Sequence, residues 1–372
     1  MNIFELLEIA KSKKASDLHL SVDSYPLIRV NGFLKRIDNT APLKLDEIEV
    51  AFANILTIDR LEEFQKNREL DFHHTLTDGT VLRCNAAQER GQLSLAIRIL
   101  SPVVPSIDAL QLPEIYKTLS QLDRGLVIIS GSTGSGKTTT QAAIIQYINA
   151  HQTRHIVSLE DPIEYCHTNI KSKIIQRELG VDTPTMAQAL KHALRHDPDV
   201  IVVGEMRDSE TAAAVISLAE TGHLVISTGH ATSTAKTVER IVDLFPYNER
   251  YLVQMRLASL LNAILCQTLV PRADGSGRIA AVEIMIVNTA IRNLIREGRM
   301  TLIEDAIRDY GQGLNTTLDE SLCALFRRGI ISLETAIKYC HDPEEIRRKT
   351  DEIFKRERTQ PKTHVLQSIR GR

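Results

Sequence analysis

The sequence predicts an α/β protein in which a small mixed domain precedes a parallel sheet covered by helices. Three observations support this. Short extended runs and amphipathic helices fill roughly the first 100 residues. Four continuous apolar runs then alternate with helical patterns, which is typical of parallel strands buried on both faces. After residue 248 the apolar residues fall mainly at helical spacing, and we expect helices there.

The N-terminal domain is predicted to span residues 1–100. Ile3, Leu6, Leu7 and Ile9 lie at helical spacing, and a helical pattern recurs over residues 45–67. Asn31-Gly32 is typical of a hairpin turn between two strands. We expect strands at Leu18–Ser21, Pro26–Val30, Phe33–Ile37, Val81–Ala87 and Leu93–Leu100. Pro102 and Pro105 then indicate a linker, predicted over residues 101–113.

The core domain is predicted over residues 114–290 as alternating strands and helices. The buried strands are expected at Gly125–Ser130, His155–Leu159, Asp199–Gly204 and His223–Thr228, with helices at Thr138–Ala150, 185–196 and 209–220. Residues 291–354 are predicted to form a helical C-terminal region. Residues 355–372 are rich in lysine and arginine, and we expect a basic, flexible tail there.

The composition excludes several classes of protein. A hydrophobic fraction of 43% and a charged fraction of 25% rule out a mostly disordered chain. The net charge is −2, and only 4% of the residues are aromatic, so a nucleic-acid-binding surface is not expected. Five scattered cysteines without a C-x-x-C pair indicate reduced thiols in the cytoplasm. No apolar stretch reaches the length of a transmembrane helix, but peripheral attachment to a membrane stays open.

A phosphate-binding loop is the clearest functional signal. It follows the buried strand Gly125–Ser130 and opens a helix, which is the context that the G-x-x-x-x-G-K-[ST] pattern requires. The pattern predicts that ATP phosphates are bound by Gly131, Ser132, Thr133, Gly134, Ser135, Gly136, Lys137, Thr138 and Thr139. Glycines let the backbone N–H groups turn toward phosphate oxygens, and the helix N-terminus favours negative charge. We expect Lys137 to contact the β- and γ-phosphates and the Thr138 hydroxyl to bind Mg²⁺.

Carboxylates follow two of the other buried strands. Glu205 comes directly after Asp199–Gly204, and Glu160, Asp161 and Glu164 follow His155–Leu159. Ligands of parallel sheets bind at the carboxyl ends of the strands. We therefore expect these acids to hold Mg²⁺, with Thr138 and Glu205 as metal residues, or to polarise the attacking water.

Two histidines flank the fourth apolar run. His223 and His230 are seven residues apart, so they cannot share a face of one strand, and a metal pair is not expected. Two interpretations stay open: structural histidines, or support of catalysis from the ends of the sheet.

Four segments together resemble one protein family. SGSTGSGKTTT, LEDPIEY, ALRHDPDVIVVGEMRDSETAAAVISLAETGHLVIST and HATSTAKTVERIVDLFP are similar to the secretion ATPases that power type II secretion and type IV pili. AIRNLIRE, at residues 290–297, resembles the pilus-retraction branch of that family. The resemblance extends to about residue 350. It implies a PAS-like N-terminal domain, a RecA-like ATPase core and a homohexamer that acts on an inner-membrane platform protein.

The resemblance also implies roles for individual residues. Lys137 matches the Walker A lysine, Glu164 the catalytic base and Glu205 the Walker B glutamate. His223 and His230 match the two histidines of the family's His box. Arg83 and Arg98 match arginines that contact nucleotide across a subunit or domain interface, a task that suits planar guanidinium groups.

Some positions depart from the family pattern. Ser132 replaces a usual proline, and Val81 replaces an arginine two residues before Arg83. Gly229 and Ala231 flank His230, where leucine and threonine are common. Glycine at the end of a strand is expected to loosen the backbone around His230. The four-cysteine zinc site and the long extra N-terminal domain of many assembly ATPases are not found in this sequence, in agreement with the retraction branch.

The resemblance predicts a cytoplasmic hexameric ATPase, associated peripherally with the inner membrane, that powers pilus retraction and twitching motility together with other pilus ATPases. One alternative is an accessory retraction ATPase of the same family. A second is a nucleic-acid-translocating motor, because RecA-like sheets also serve helicases. A third is a nucleotide-switched binding module with negligible turnover.

Overall fold

The computed structural model describes residues 2–30, 32–56, 58–100, 103–310 and 314–350. Asn31 of the predicted hairpin turn, residues 101 and 102 of the predicted linker and the predicted tail 355–372 lie outside the described residues. The chain forms two compact units. One contains the residues up to Val104 together with Ile163–Thr168, and the other contains Pro105–Pro162 and the described residues from Asn169 onward.

The first unit is an antiparallel sheet with helices packed on its apolar side. The strand order is β3-β2-β1-β6-β5-β4. Leu18, Leu20, Leu82, Cys84 and Ile97 are fully buried between the sheet and the helices, in a core that both share. The strands are β1 (Asp17–Ser21), β2 (Leu27–Val30), β3 (Phe33–Arg36), β4 (Glu69–Thr75), β5 (Val81–Glu89) and β6 (Gln92–Ile99), and the helices are α1 (Ile3–Ser12), α2 (Leu45–Ile55) and α3 (Ile58–Asn67).

The second unit is built on a seven-stranded sheet with the order β13-β12-β7-β11-β10-β8-β9. All neighbours pair in parallel except β12 and β13, which form an antiparallel hairpin at one edge. The strands are β7 (Gly125–Ser130), β8 (His155–Glu160), β9 (Lys173–Glu178), β10 (Val200–Val203), β11 (Leu224–Thr228), β12 (Leu261–Pro271) and β13 (Arg278–Ile286).

Helices cover both faces of this sheet. Two apolar clusters, one on each side, contain alternating side chains of the same strands: Val127 and Ile129 belong to one, and Leu126 and Ile128 to the other. The helices are α4 (Ile115–Leu119), α5 (Lys137–His151), α6 (Met186–Ala193), α7 (Ser209–Glu220), α8 (Thr234–Asp243), α9 (Tyr247–Leu260), α10 (Thr289–Arg296), α11 (Ile303–Tyr310), α12 (Leu318–Arg327) and α13 (Leu333–Tyr339). Residues 343–350 are also helical.

The predicted fold class is confirmed, but the expectation of mainly helical structure after residue 248 is wrong. Strands β12 and β13 together contribute 20 residues to the sheet. Both are buried on two faces, so their apolar residues form nearly continuous runs, and a short continuous run does not distinguish a strand from a buried helix. The helical C-terminal region predicted from residue 291 begins within two residues of that position, with α10 at Thr289, directly after β13.

Two further strands, β4 and β9, were not expected. Both lie at an edge of their sheet, and both contain many polar and charged residues. An edge strand exposes part of its surface to water, so its sequence lacks the apolar pattern that indicates a central strand. The predicted helix at 45–67 is also divided in two, as α2 and α3.

Candidate active site

The phosphate-binding loop connects the buried strand β7 with helix α5. Gly131, Gly134 and Gly136 have φ angles of +142°, +77° and +87°, a region that glycine adopts without strain. A Cβ atom at Gly131 would lie 2.4 Å from Ser135 Oγ and 2.5 Å from the carbonyl oxygen of Gln267. Gly131 is therefore required by close packing as well as by its backbone conformation.

Lys137 begins α5 and folds back over the loop. Its Nζ atom donates to the carbonyl oxygens of Gly131 at 2.9 Å and Ser132 at 3.0 Å. Thr138 and Thr139 follow in the first helical turn, where N–H groups have no acceptor within the helix. Ser135 Oγ is buried and makes no hydrogen bond within the described residues. The positive-φ glycines, the lysine and the unpaired hydroxyl fit the phosphates of a nucleotide.

A cavity of about 210 Å³ lies beside this loop, within the second unit. Some of the polar residues that line it were missed because β12 and β13 were not recognised as strands, among them Gln267, Arg272 and Arg278. Gln267 is 1% exposed, and its Nε2 atom donates to Thr140 Oγ1 at 2.9 Å. The cavity therefore extends from the loop to the β12–β13 hairpin, and it offers both apolar and cationic groups to a bound molecule.

Carboxylates cluster at the carboxyl ends of the parallel strands, the side of the sheet on which the phosphate-binding loop also lies. This placement was predicted from where the strands end in the sequence. Val203 of β10 pairs with Leu159 of β8, and the N–H group of Gly204 donates to the carbonyl oxygen of Leu159 at 2.8 Å. This register places Asp161 and Glu205 side by side, each two residues beyond the last residue pair of the β8–β10 ladder. Glu160 is buried, and its Oε1 atom accepts hydrogen bonds from Ser158 and Gln176. Glu160 is thus built into the sheet.

Both carboxylate oxygens of Glu205 have partners. Its Oε2 atom accepts a hydrogen bond from Arg207 Nε at 2.8 Å, and its Oε1 atom lies 3.1 Å from His230 Nε2. Arg207 also donates from Nη1 to Asp161 Oδ2 at 2.9 Å. These bonds and the two negative charges raise the pKa of the Arg207 guanidinium. The structure therefore connects the ends of β8, β10 and β11 through charged side chains.

The structure separates the two histidines. His230 follows β11, at the carboxyl end of the strands, where Glu205 also lies. His223 precedes β11, at the opposite end of the strand, where its backbone carbonyl oxygen accepts a hydrogen bond from the Gly125 N–H group. The His223 ring donates from Nδ1 to the carbonyl oxygen of Leu218 at 3.1 Å. Each strand residue adds about 3.3 Å, so within one chain His223 is remote from the phosphate-binding loop.

The segment around His230 is held by a network of hydrogen bonds. Ser130 Oγ accepts from the N–H group of Ala231 at 3.1 Å and from Thr237 Oγ1 at 2.8 Å. Gly229 donates its N–H group to Ile129, and a Cβ atom there would lie 3.4 Å from Ser130 Oγ. Hydrogen bonds from β7 and α8 hold the segment on both sides, and they oppose the loosening expected from Gly229.

A buried carboxylate supports the helix that follows. Glu283 of β13 is 5% exposed, and its Oε1 atom accepts from the Thr234 N–H group at 2.7 Å and from the Thr234 hydroxyl at 2.6 Å. Burial raises the pKa of Glu283. This contact fixes the start of α8. In turn, α8 contributes Thr237 to the hydrogen bonds that hold the segment around His230.

The remaining predicted residues lie in the first unit. Glu164 belongs to Ile163–Thr168, the short segment that groups with that unit. Arg83 and Arg98 face each other on β5 and β6. Arg98 Nε donates to Asp17 Oδ1 at 3.0 Å. The two arginines are thus brought together, on a sheet separate from the one that carries Lys137 and Glu205.

Helix α10 contains most of the AIRNLIRE segment. Ile291 and Ile295 are buried and Leu294 packs partly against the same cluster, so the predicted apolar stripe is confirmed. Asn293, Arg296 and Glu297 are exposed, and Arg292 is half-buried. Asn288 caps the helix by accepting from the Ile291 N–H group at 2.9 Å. None of these residues lines the cavity beside the phosphate-binding loop.

Neither a membrane-spanning helix nor a cluster of metal ligands is found among the residues that the structure describes. No helix among the described residues is both long and apolar enough to cross a membrane. The same residues contain no group of three or more histidine, cysteine, aspartate or glutamate side chains arranged to hold a metal ion.

Comparison with known proteins places this arrangement in a family. The model of the family described as "Type II/IV secretion system protein" matches residues 88–338. The type IV pilus retraction ATPase PilT of Pseudomonas aeruginosa is 41% identical over 344 residues, which cover 92% of this chain and 99% of that protein. The type IV pilus ATPase PilU of the same organism is 35% identical over 348 residues, with coverage of 93% and 91%.

Solved structures agree with these relatives. The crystal structure of the pilus retraction motor PilT with bound ADP superimposes with a TM-score of 0.86 at 38% identity, covering 94% of this chain and 99% of that one. The Legionella pneumophila ATPase DotB gives a TM-score of 0.77 at 27% identity, with coverage of 90% and 94%. The chain described here is therefore a member of the type II/IV secretion system protein family.

Proposed function

We propose that this chain is the subunit of a homohexameric motor that hydrolyses ATP to power type IV pilus retraction, and hence twitching motility. The observation that carries the proposal is the combination of a formed phosphate-binding loop with carboxylates at the same sheet edge, in a chain that shares 41% identity with a pilus retraction ATPase over almost its full length.

ATP binding is assigned to residues 131–139. Lys137 would exchange its two carbonyl acceptors for β- and γ-phosphate oxygens, which it binds more strongly because they are charged. The left-handed glycines direct N–H groups of the loop toward the same oxygens. Mg²⁺ would be held by the Thr138 hydroxyl and by Glu205, and when bound it neutralises charge between the β- and γ-phosphates.

For hydrolysis we assign the general base to Glu164. Its carboxylate takes a proton from water while the water oxygen bonds to the γ-phosphorus, and the bond between that phosphorus and the β–γ bridging oxygen breaks to leave ADP. Glu205 keeps Arg207 and His230 as partners, so we assign it to ordering water or Mg²⁺ rather than to proton removal.

Arg83 and Arg98 are assigned to phosphate contacts made across an interface of the ring. Guanidinium groups neutralise the charge that develops on the transferred phosphoryl group, and supplying them from a neighbouring subunit makes hydrolysis depend on assembly. His223 and His230 are proposed to support the site from opposite edges of the sheet, His230 through its contact with Glu205.

The proposed partners are an inner-membrane pilus platform protein and other pilus ATPases. The protein would act at the cytoplasmic face of the inner membrane, attached peripherally. A net charge of −2 does not favour a nucleic-acid substrate. An accessory retraction role is the second candidate, because the PilU relative is 35% identical over a similar length.

Loss of the chain from its own cell tests this function. Hyperpiliated cells that do not twitch would support retraction, whereas cells without pili would indicate assembly. Full twitching that depends on a second retraction ATPase would indicate the accessory role. Release of phosphate by purified hexamer, measured with and without DNA, separates the pilus motor from a nucleic-acid motor and from a binding module with negligible turnover.

A further inference from the structure

A single aspartate lies among three arginines on the polar face of the first unit's sheet. Arg83 of β5 stands opposite Arg98 of β6, and Arg98 in turn stands opposite Asp17 of β1. On its other side Asp17 stands opposite Arg29 of β2. Directly opposite residues share a face of a sheet. Three guanidinium groups and one carboxylate therefore form a row across neighbouring strands.

The carboxylate of Asp17 is held on both of its oxygen atoms. Its Oδ1 atom accepts a hydrogen bond from Arg98 Nε at 3.0 Å, and its Oδ2 atom accepts one from Ser16 Oγ at 2.7 Å. Arg29 Nε lies 3.8 Å from the same Oδ2 atom. The side chain of Asp17 is 13% exposed, whereas that of Arg98 is 60% exposed. The carboxylate is thus fixed close to the sheet, and the arginine extends beyond it.

The point of contact on Arg98 decides which of its atoms remain for a ligand. Asp17 binds Nε, the guanidinium nitrogen nearest the backbone. Among the described residues neither Nη atom of Arg98 makes a hydrogen bond. A guanidinium group is planar, so holding Nε also restricts the plane in which both Nη atoms lie. Those two atoms can donate side by side to the oxygens of one phosphate.

Stability of the sheet explains little of this arrangement. The β1–β6 ladder already pairs Asp17–Ser21 with residues 94–98, and an exposed ion pair adds little to such a ladder. Asp17 does offset the repulsion expected between the opposed Arg83 and Arg98. Charge compensation alone, however, does not require a contact at Nε. That contact restricts the direction of the Arg98 side chain.

We propose that Asp17 is a positioning residue for ATP hydrolysis, which orients Arg98 so that both Nη atoms face the transferred phosphoryl group. This inference rests on the proposed function, in which Arg98 contacts phosphate across an interface of the ring. An arginine side chain has several rotatable bonds, and ordering it at the moment of reaction costs free energy. Holding it in advance removes part of that cost from the transition state.

The test compares Asp17→Asn and Asp17→Glu with wild-type hexamer. Asparagine keeps the shape but removes the charge, so its bond to Nε is weaker. Glutamate keeps the charge but adds a methylene group, so it displaces the guanidinium group. We expect kcat to fall about tenfold in Asp17→Asn and about threefold in Asp17→Glu, with the KM for ATP within about twofold, because misplacement of a reacting group lowers the rate of the chemical step.

Asp71→Asn is the matched control. Asp71 of β4 stands opposite Asn85, which shares a face of the sheet with Arg83 because the two are two residues apart on β5. Its Oδ1 atom accepts from Asn85 Nδ2 at 3.2 Å and not from an arginine. This variant should keep the wild-type kcat, and the unfolding midpoints of all the variants should stay within about 2 °C of wild type. If Asp17→Asn does not fold at the assay temperature, Asp17→Glu decides in its place.

A binding measurement separates positioning from a general structural role. ADP with aluminium fluoride mimics the transferred phosphoryl group, and transition-state analogues report interactions made in the transition state. Arg98→Ala should weaken its binding about tenfold or more, and Asp17→Asn several-fold, while the affinity for ADP alone stays within about twofold. Adding Asp17→Asn to Arg98→Ala should have no further effect, because the carboxylate acts only through that arginine.

A wild-type kcat in Asp17→Asn would overturn the inference, and so would a further loss of aluminium fluoride binding in the double variant. A wild-type kcat in Asp17→Glu beside a slow Asp17→Asn would also overturn it, because charge compensation would then be sufficient. Each of these results would leave the proposed function intact as long as the wild-type hexamer hydrolyses ATP. An inactive wild-type hexamer would defeat the proposed function and the inference with it.

Discussion

Arg83 and Arg98 stand directly opposite each other on the neighbouring antiparallel strands β5 and β6. Opposite residues share a face of the sheet with Cβ atoms about 5 Å apart, and like charges in that position are destabilising. Asp17 of β1 is the next residue in the same row, and it binds Arg98 through Nε. Among the described residues the terminal nitrogen atoms of Arg98 make no hydrogen bond, so they could bind an anion.

The role proposed for Arg83 and Arg98 predicts that activity depends on arginines supplied by a neighbouring subunit. Arg98→Ala and Lys137→Ala hexamers should each be inactive, since one lacks the arginine and the other lacks the phosphate-binding lysine. Mixed hexamers should regain part of the activity, because an Arg98→Ala subunit keeps its own Lys137 and can receive Arg98 from its neighbour. Phosphate release across mixing ratios measures this.

Lys35→Ala, on the exposed edge strand β3, is the charge-matched control and should hydrolyse ATP normally. Absence of restored activity at every mixing ratio would contradict action between subunits. It would leave action between the two units of one chain as the alternative.

Lys137→Ala should abolish hydrolysis while the protein still folds. The lysine supplies the charge that the β- and γ-phosphates need, and removal of one such group from a reaction centre costs about a hundredfold or more. ATP turnover, nucleotide affinity and thermal unfolding should be measured together. Lys191→Ala, which removes an exposed lysine of α6, is the control. A turnover within threefold of wild type would show that Lys137 does not have this role.

Gly131→Ala should disrupt the nucleotide site more than its small size suggests. A Cβ atom there would come within 2.5 Å of Ser135 Oγ and of the backbone of Gln267, so the loop would have to move. We expect ATP affinity to fall by at least tenfold in a binding titration.

Gly329→Ala provides the control for backbone strain alone. Gly329 also has a positive φ angle, of +68°, but an added Cβ would meet nothing within 4 Å. That substitution should cost about 1 kcal/mol of stability and leave ATP affinity unchanged. Equal affinity in the Gly131→Ala variant would argue that the loop can relax around the added methyl group.

The phosphate-binding loop and the central strands could be predicted because local physics determines them. β7, β8, β10 and β11 are buried on both faces, so each is a continuous apolar run, and the loop motif constrains the strand before it and the helix after it. The carboxylates followed from the rule that parallel strands bind ligands at their carboxyl ends.

What the sequence did not reveal depends on contacts between distant segments. Gln267 and Arg272 line the cavity only because β12 pairs with β7, and that pairing leaves no local pattern. The bridge of Arg207 to Asp161 joins residues 46 positions apart. The hydrogen bonds that hold the segment around His230 come from Ser130 and Thr237, which are distant in sequence, so the effect of Gly229 could not be judged from its neighbours in sequence.

The two glutamates should respond differently to the same substitution. Glu164→Gln should bind Mg·ATP with nearly wild-type affinity but turn over slowly, because only removal of the water proton is lost. Glu205→Gln should also be slow, and it should need more Mg²⁺ because its metal or water is misplaced. Turnover, ATP affinity and Mg²⁺ dependence distinguish the two, with Glu210→Gln on α7 as the control. A wild-type kcat in Glu164→Gln would transfer the role of base to Glu205.

Helix α10 should couple hydrolysis to movement without taking part in the chemistry. Its apolar stripe anchors it to the core through Ile291 and Ile295, whereas Arg296 is exposed and Arg292 is half-buried. The double substitution of both arginines by alanine leaves the stripe intact, and surface changes usually cost within about 0.5 kcal/mol. We therefore expect a folded hexamer that keeps a substantial fraction of its ATPase activity but does not support twitching.

The matched control for this last variant removes two arginines from another helix end. Arg327 and Arg328 are exposed at the end of α12, and their double substitution by alanine removes the same charge. Cells with this control should twitch, which would show that the effect belongs to α10 and not to net charge. Normal twitching in the α10 variant would refute the coupling role. Loss of ATP binding in that variant would also refute it, because the helix would then support the nucleotide site itself.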